Sequence, residues 1–360
     1  MRVLIIKTSS LGDIIHALPV IDYLHQAAPG IEIDWVVEEQ FISVLEHNPR
    51  LNRIYPIKTR KWRKAPFSVE TRNDLKALKK ALRNQTYDFV FDIQGNLKSG
   101  LVDWLSGARE RIGFGMEVLQ EKINCLFTTR RVPVSRNIDH HITKRYLRVV
   151  SAPFCMNYPN SNLTSNIFSA PEDEAAAARY MANLPNGLVF LFQIGTTWNT
   201  KLWYPAGWTE LARRLTAQYP GSTVVINWGN NCEKSIGEQI VRDAGDSVRL
   251  LPWLSIRELI PIIKRVSLVV GGDSGPLYLA AAVGTPTVSY YRATRASKYA
   301  PLGKQHRAIQ ADIDCAGCRR KLCDRDAECR RRIFVHSLFE AVSDLIGYDL
   351  NERMNPCCPT

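Results

Sequence analysis

Two strand-to-helix turns carry the residues with which this chain could do chemistry. The later one is Asp273-Ser274-Gly275-Pro276-Leu277, between the apolar run Leu268-Val269-Val270 and the small-residue run Leu279 to Gly284. The first amides of a helix lack partners inside it and lie at the positive end of its dipole, so such a turn is a ready phosphate site. Asp273 would equally serve as N-cap in a plain structural turn. The earlier one is Lys7-Thr8-Ser9-Ser10-Leu11-Gly12-Asp13, after the run Arg2-Val3-Leu4-Ile5-Ile6. Gly12 lets the backbone turn tightly and approach a ligand. Asp13 stands at the carboxyl end of a strand, the edge where open α/β sheets bind ligands. A carboxylate there is either a helix N-cap or a general base for a hydroxyl. Together the turns point to a phosphorylated or nucleotide-linked small molecule.

The elements that must hold these turns follow from periodicity. Short apolar runs alternate with amphipathic stretches, which reads as α/β with parallel sheets. In the first half, strands are expected at Arg2–Lys7, Ile33–Val37, Arg53–Pro56 and Phe89–Asp92, with helices at Asp13–Gln26, Glu70–Arg83 and Leu97–Leu105. The stretch Ser151–Pro171, rich in Pro, Asn and Ser, reads as a linker. Beyond it, strands are expected at Leu188–Phe192, Thr223–Trp228, Val248–Leu250, Leu268–Gly271 and Thr287–Tyr290. Helices are expected at Trp208–Gln218, Glu233–Asp243, Ser255–Arg265, Pro276–Val283 and Ile333–Ile346. This predicts domains at 1–165 and 166–332, then a helix and tail at 333–360, with no internal repeat visible. Two Rossmann-like halves leave a cleft between them, a preferred place for a ligand. No G-x-G-x-x-G follows a strand and no G-x-x-x-x-G-K-[ST] occurs, so neither a nicotinamide cofactor nor a P-loop is supported.

Composition narrows the partners. The net charge of +12 asks for an anionic one. Lys58-Thr59-Arg60-Lys61-Trp62-Arg63-Lys64 holds five cations in seven residues around an aromatic, which suits a phosphate-rich headgroup region. Arg319-Arg320-Lys321 and Arg330-Arg331-Arg332 form a second cluster. No nucleic-acid-binding signature is present, so no nucleic acid is expected. No apolar run is long enough to span a bilayer, and the N-terminus enters a strand rather than a signal peptide, so a cytosolic protein is expected.

These residues together resemble the heptosyltransferases of lipopolysaccharide synthesis, glycosyltransferase family 9, and most of all the type that adds the first heptose. The resemblance rests on Val3 to Asp13, Asp34-Trp35-Val36-Val37-Glu38-Glu39, Arg60-Lys61-Trp62-Arg63-Lys64-Ala65 and Asp92-Ile93-Gln94-Gly95-Asn96-Leu97-Lys98-Ser99. In the second half it rests on Thr196-Thr197 with Lys201, Trp203-Tyr204-Pro205, Trp208, Trp228-Gly229 with Glu233, and Asp273 to Leu277. It implies a GT-B fold, two Rossmann-like domains facing across a cleft. It implies inverting transfer of heptose from ADP-heptose to a Kdo sugar on lipid A, with Asp13 as general base. Thr196, Thr197, Lys201, Asp273, Ser274, Gly275, Pro276 and Leu277 would hold the donor, and Glu233 its ribose. Ser9, Ser10, Gly12, Gln94, Arg60, Arg63 and Lys64 would face the anionic acceptor. No metal or cofactor is required. The protein would sit peripherally on the cytoplasmic face of the inner membrane. Tyr278 stands where the family often has His, and Gly271-Gly272 before Asp273 is expected to loosen the turn.

Cys315, Cys318, Cys323 and Cys329 lie close enough in sequence for structural zinc, although the spacing is not a standard zinc pattern. A loosely packed thiol loop is the other reading. Cys125, Cys155 and Cys232 read as small apolar residues. Cys357 is fourth from the end, but Cys358-Pro359-Thr360 after it makes a poor lipidation signal. His16 either borders the cleft or is a bonded structural residue, and His140-His141 read as surface. Two other functions remain open. One keeps the fold but uses a later core acceptor or another nucleotide sugar. The other is a non-catalytic basic adaptor for lipid or RNA with a metal-bound Cys loop.

Overall fold

The computed structural model describes residues 1–119, 121–135, 139–154 and 165–354. Much of the expected linker, together with Cys155, Cys357 and Cys358, lies outside the described residues. The chain divides into two compact units, Met1–Phe168 and Ser169–Thr360.

The first unit holds β1 (Arg2–Ile6), β2 (Glu32–Glu38), β3 (Arg53–Ile57), β4 (Phe89–Asp92), β5 (Arg111–Phe114) and β6 (Arg130–Val132). All pair in parallel, in the order β3-β2-β1-β4-β5-β6. Helices cover both faces, so β1 is buried throughout Val3-Leu4-Ile5-Ile6 and reads as one apolar run rather than an alternation. The core joins Leu4, Ile6, Val36, Ile57 and Val90 of the strands to Leu82 and Val102 of the helices. The single helix expected over Asp13–Gln26 is two, Leu11–Ala17 and Pro19–Ala27. Pro19 has no amide to continue the first and starts the second instead. Pro171 likewise opens a helix, Pro171–Ala182, rather than closing a linker.

The second unit holds β7 (Val189–Gln193), β8 (Thr223–Asn227), β9 (Val248–Leu250), β10 (Leu268–Gly272), β11 (Thr287–Tyr291) and β12 (His306–Gln310). Its order, β9-β8-β7-β10-β11-β12, repeats that of the first unit. The same Rossmann topology thus occurs twice without a visible sequence repeat. Trp203 and Trp208 are buried with Phe190, Phe192, Ile226 and Tyr290, so the Trp-Tyr-Pro segment is core framework. The last helix, Val335–Met354, inserts Leu338, Val342 and Leu345 into this core and is no separate appendage. Gly271 and Gly272 do not loosen the turn. They are paired residues of β10, and a Cβ on Gly272 would stand 2.9 Å from the Tyr290 ring. Among the described residues no helix is long and apolar enough to cross a membrane.

Candidate functional site

In the first unit Ser9, Ser10, Gly12, Asp13 and Gln94 gather at the carboxyl ends of β1 and β4, where the strand order reverses. Ser10 is the N-cap of the helix Leu11–Ala17, and Asp13 is its third residue. Asp13 Oδ2 accepts from the Ser10 amide at 3.1 Å and the Ser10 hydroxyl at 2.9 Å. Asp13 is therefore the return arm of a capping box, not the N-cap. Its Oδ1 accepts from the Tyr146 hydroxyl at 3.4 Å. Burial pushes the Asp13 carboxyl up, but the Lys7 ammonium, the two Ser10 bonds and His16 outweigh it. The group is held below its ordinary value of 3.8. It is a carboxylate at neutral pH, only partly covered from solvent.

Lys7 supplies much of that field. It is buried, with Nζ 4.9 Å from the Tyr146 ring centroid, and burial pulls its ammonium down while Asp13 and Asp92 hold it up. Gln94 Oε1 accepts from the Thr8 and Ser9 amides at 3.1 Å each, tying the loop after β4 to the loop after β1. Asp92 shapes the first of these loops from below. Fully buried, it accepts from the Gln94 and Gly95 amides at 3.0 Å, the Ser99 hydroxyl at 2.8 Å and the Asn124 amide at 2.6 Å. Sequence reading singled out neither Lys7, Tyr146 nor Asn124. The motif around Asp13 contains Lys7, but nothing local signals a Tyr 133 residues away.

His16 is buried beside His141, their rings 5.6 Å apart and edge-on. His141 is not at the surface as expected. It caps the helix Ile142–Val150, Nδ1 accepting from the Thr143 amide, while His140 is exposed. The basic segment is a short helix, Thr59–Lys64, rather than a loop. Arg60, Arg63 and Lys64 are exposed, but Trp62 is turned inward against the core and donates to Asp74 at 3.1 Å. Buried Thr59 anchors the helix by donating to Glu38 and accepting from Lys98 Nζ.

In the second unit Thr196, Lys201 and Asp273 gather at the ends of β7 and β10, again where the strand order reverses. Lys201 Nζ lies 2.8 Å from Asp273 Oδ2, and the Tyr278 hydroxyl donates to Asp273 Oδ1 at 2.6 Å. Thr196 Oγ1 donates to the Asp273 carbonyl at 3.2 Å, and Thr197 beside it is exposed. Burial above all, with Tyr291 and Asp273 adding to it, pushes the Tyr278 phenol well up, so it stays neutral. Ser274 is the N-cap of the helix Gly275–Ala282 but makes no side-chain cap bond, and its buried hydroxyl has no partner among the described residues. The first turn is thus left open to an anion. Gly275 and Pro276 are half-buried there, while the Leu277 side chain is fully buried in the framework. Glu233 lies against the backbone of Gly195, where a Cβ would overlap its carboxylate. It accepts from the Gly229 amide at 2.7 Å and Asn230 Nδ2 at 2.8 Å.

Of the Cys-rich segment, Cys329 is buried, Cys315 and Cys323 are half-buried and Cys318 is exposed. Among the described residues no group of three or more His, Cys, Asp or Glu is placed to hold a metal ion. Cys125 is half-buried, and Cys232 is exposed in the first turn of the helix Asn231–Ala244, so it is no core residue.

Comparison with known proteins supports the fold and gives the family. The profile of glycosyltransferase family 9 (heptosyltransferase) matches residues 75–327. The chain is 30% identical over 335 residues to lipopolysaccharide heptosyltransferase 1 of Pseudomonas aeruginosa, covering 93% of this chain and 91% of that protein. It is similar in structure to the Escherichia coli heptosyltransferase WaaC with ADP, at TM-score 0.78 and 27% identity, covering 96% of this chain and 100% of the other. The same enzyme with ADP-2-deoxy-2-fluoro heptose matches at TM-score 0.74 and 28% identity, covering 97% and 100%.

Proposed function

The chain belongs to glycosyltransferase family 9, and from that membership we propose that it is an inverting heptosyltransferase moving heptose from ADP-heptose to the Kdo region of the lipopolysaccharide inner core. The observation that carries the mechanism is the Asp13 carboxylate, kept charged by Lys7 and aimed by Ser10 and Tyr146. An acceptor hydroxyl forms its bond to the anomeric carbon from the face opposite the diphosphate, and its proton goes to Asp13. The bond from that carbon to the phosphate oxygen breaks, and ADP leaves with both phosphates. A base held below the usual carboxylate range is weak, so it takes the proton late, when the attacking oxygen has become acidic.

Charge that builds on the departing diphosphate would meet Lys201, Thr196, Thr197 and the open first turn at Ser274 and Gly275. Preorganised donors of this kind are worth roughly 3–4 kcal/mol each. Asp273 keeps Lys201 in place, Pro276 and Leu277 fix the helix start behind it, and Glu233 would take the ribose hydroxyls. Arg60, Arg63 and Lys64, together with the +12 net charge, would hold the protein against an anionic membrane surface on the cytoplasmic face, where its lipid A acceptor lies.

The test is a transfer assay with ADP-heptose and Kdo-lipid A, alongside a heptose-primed acceptor and UDP- and GDP-sugars. Transfer of heptose to Kdo is the expected outcome. Transfer to the heptose-primed acceptor alone would move the step while keeping the chemistry. No transfer from any donor by folded protein would overturn the reading.

A further inference from the structure

The Cys-rich segment has no part in the mechanism above, yet it is stitched to the loop that carries Lys201. That loop, residues 198–203, is a short 3-10 turn at Asn199–Lys201 with extended residues around it. Within the turn the Trp198 and Asn199 carbonyls accept from the Lys201 and Leu202 amides at 2.9 and 3.0 Å. Two guanidiniums take the carbonyls of Asn199, Leu202 and Trp203 from outside the loop. Arg292, 1% exposed at the end of β11, donates to the Leu202 carbonyl at 2.5 Å and the Asn199 carbonyl at 3.5 Å. Arg330 donates to the Asn199 carbonyl at 3.2 Å and the Trp203 carbonyl at 3.4 Å.

One carboxylate holds both guanidiniums. Asp326 Oδ1 accepts from Arg292 Nη2 at 2.7 Å, and Asp326 Oδ2 accepts from Arg330 Nε at 2.7 Å. Asp326 opens the helix Asp326–Arg331 inside the Cys-rich segment. The segment touches the loop again where the buried Thr200 hydroxyl donates to the Arg320 carbonyl at 2.7 Å. It touches it a third time where Lys321 shares the Trp198 ring with Lys201, at 5.3 and 4.7 Å from the centroid. Cys329 sits beneath, its thiol pushed up by burial and only partly drawn back by Arg292 beside it.

We propose that Asp326 is a positioning residue for the donor diphosphate: it locks Arg292 and Arg330 onto the loop carbonyls and thereby fixes the Lys201 ammonium. The physical reason is that three planar groups at fixed spacing leave the loop no freedom about its own axis. A carboxylate that gives one oxygen to each of two guanidiniums joins them by charge-assisted hydrogen bonds, roughly twice as strong as neutral ones. The Cys-rich segment on this view is a clasp for the donor loop. The inference rests on the reading that Lys201 meets the donor diphosphate.

The experiment measures ADP affinity by calorimetry for wild type, Lys201→Ala, Asp326→Asn and the double variant, with thermal unfolding as a check on folding. Asp326→Asn is expected to weaken ADP roughly tenfold, and to add less than about twofold once Lys201 is already Ala. A folded Asp326→Asn with ADP affinity within about twofold of wild type would overturn the proposal, as would an undiminished loss on the Lys201→Ala background. Should Lys201→Ala itself leave ADP binding intact, the donor reading of Lys201 fails, and the clasp with it. If Asp326→Asn does not fold, Arg330→Gln takes its place. It removes the guanidinium from the Trp203 carbonyl and one of the two guanidiniums from the Asn199 carbonyl, while leaving the Arg292–Asp326 pair. A loss of about threefold that vanishes on the Lys201→Ala background supports the clasp, and no loss overturns it.

Discussion

The turns after β4 and β10 occupy the same place in two units of identical strand order, and they are finished in opposite ways. After β4, Asn96 caps the helix Leu97–Ser106 in a full capping box with Ser99, and Glu121 takes the Leu97 amide at 2.8 Å. The aspartate there, Asp92, is wholly consumed by four internal bonds. After β10 the hydroxyl of the N-cap Ser274 has no partner among the described residues, and Asp273 is held by Lys201 and Tyr278 at the edge of the site. A helix start whose amides are already satisfied has little to offer a phosphate, whereas an unfinished one does. The topology supplies two equivalent places for a ligand, and on the proposed function the capping of the helix decides which of them would take the anion.

The largest effect expected is on the acid side of the first unit. Asp13→Ala should lower kcat by about 10²- to 10⁴-fold while ADP affinity in calorimetry stays as it was. Because Asp13 is held below 3.8, its protonation limb in a pH–kcat/KM profile should lie below that value. A limb near neutrality that disappears in Asp13→Asn would refute the carboxylate's assigned state. The capping contrast comes next. Ser274→Ala should cost under about 0.5 kcal/mol of stability yet weaken ADP roughly tenfold. Asn96→Ala should cost about 1 kcal/mol of stability and leave ADP affinity alone. Equal behaviour of the two variants in calorimetry and denaturant melts would dissolve the distinction.

A smaller change is expected when Arg60, Arg63 and Lys64 are neutralised together. The KM for the lipid acceptor should rise about tenfold and lose much of its salt dependence, with kcat and ADP affinity unmoved. The smallest concerns Asp103, buried next to Asp92 and 3.8 Å from Arg111. Burial first, and then the charge of Asp92, push its carboxyl well above its ordinary value. The folded state therefore holds this proton more tightly than the unfolded chain, and stability falls as pH rises from the ordinary value through the raised one. Asp103→Asn should raise Tm at about pH 8 and flatten its fall from acid pH, which differential scanning calorimetry would read directly.

Much of this was legible in the chain before the structure. Val3-Leu4-Ile5-Ile6 and Leu268-Val269-Val270 announce central parallel strands because both of their faces are buried. The edge strands β3 and β9 were legible too, but β5 and the edge strands β6 and β12 escaped notice for the opposite reason. β5, β6 and β12 read Arg-Ile-Gly-Phe, Arg-Arg-Val and His-Arg-Ala-Ile-Gln, with too few apolar residues to form a run. In the site, Asp13 and Asp273 declare themselves by standing just past a strand. Tyr146 on Asp13, Asn124 on Asp92 and Asp326 on Arg292 do not, since each comes from 32 or more residues away and obeys no local spacing. The N-cap readings were displaced at both turns: Asp13 returns the bond that Ser10 begins, and the N-cap after β10 is Ser274 rather than Asp273.

Tyr278 has a consequence for how the enzyme would meet a change of pH. The position grips Asp273 from the side opposite Lys201 with a group that carries no charge. An imidazole there would gain or lose a proton around pH 6.5 and with it the charge of its pull on the aspartate. The buried phenol keeps its proton throughout that range. Through acidification in that range, this partner of Asp273 stays electrically silent.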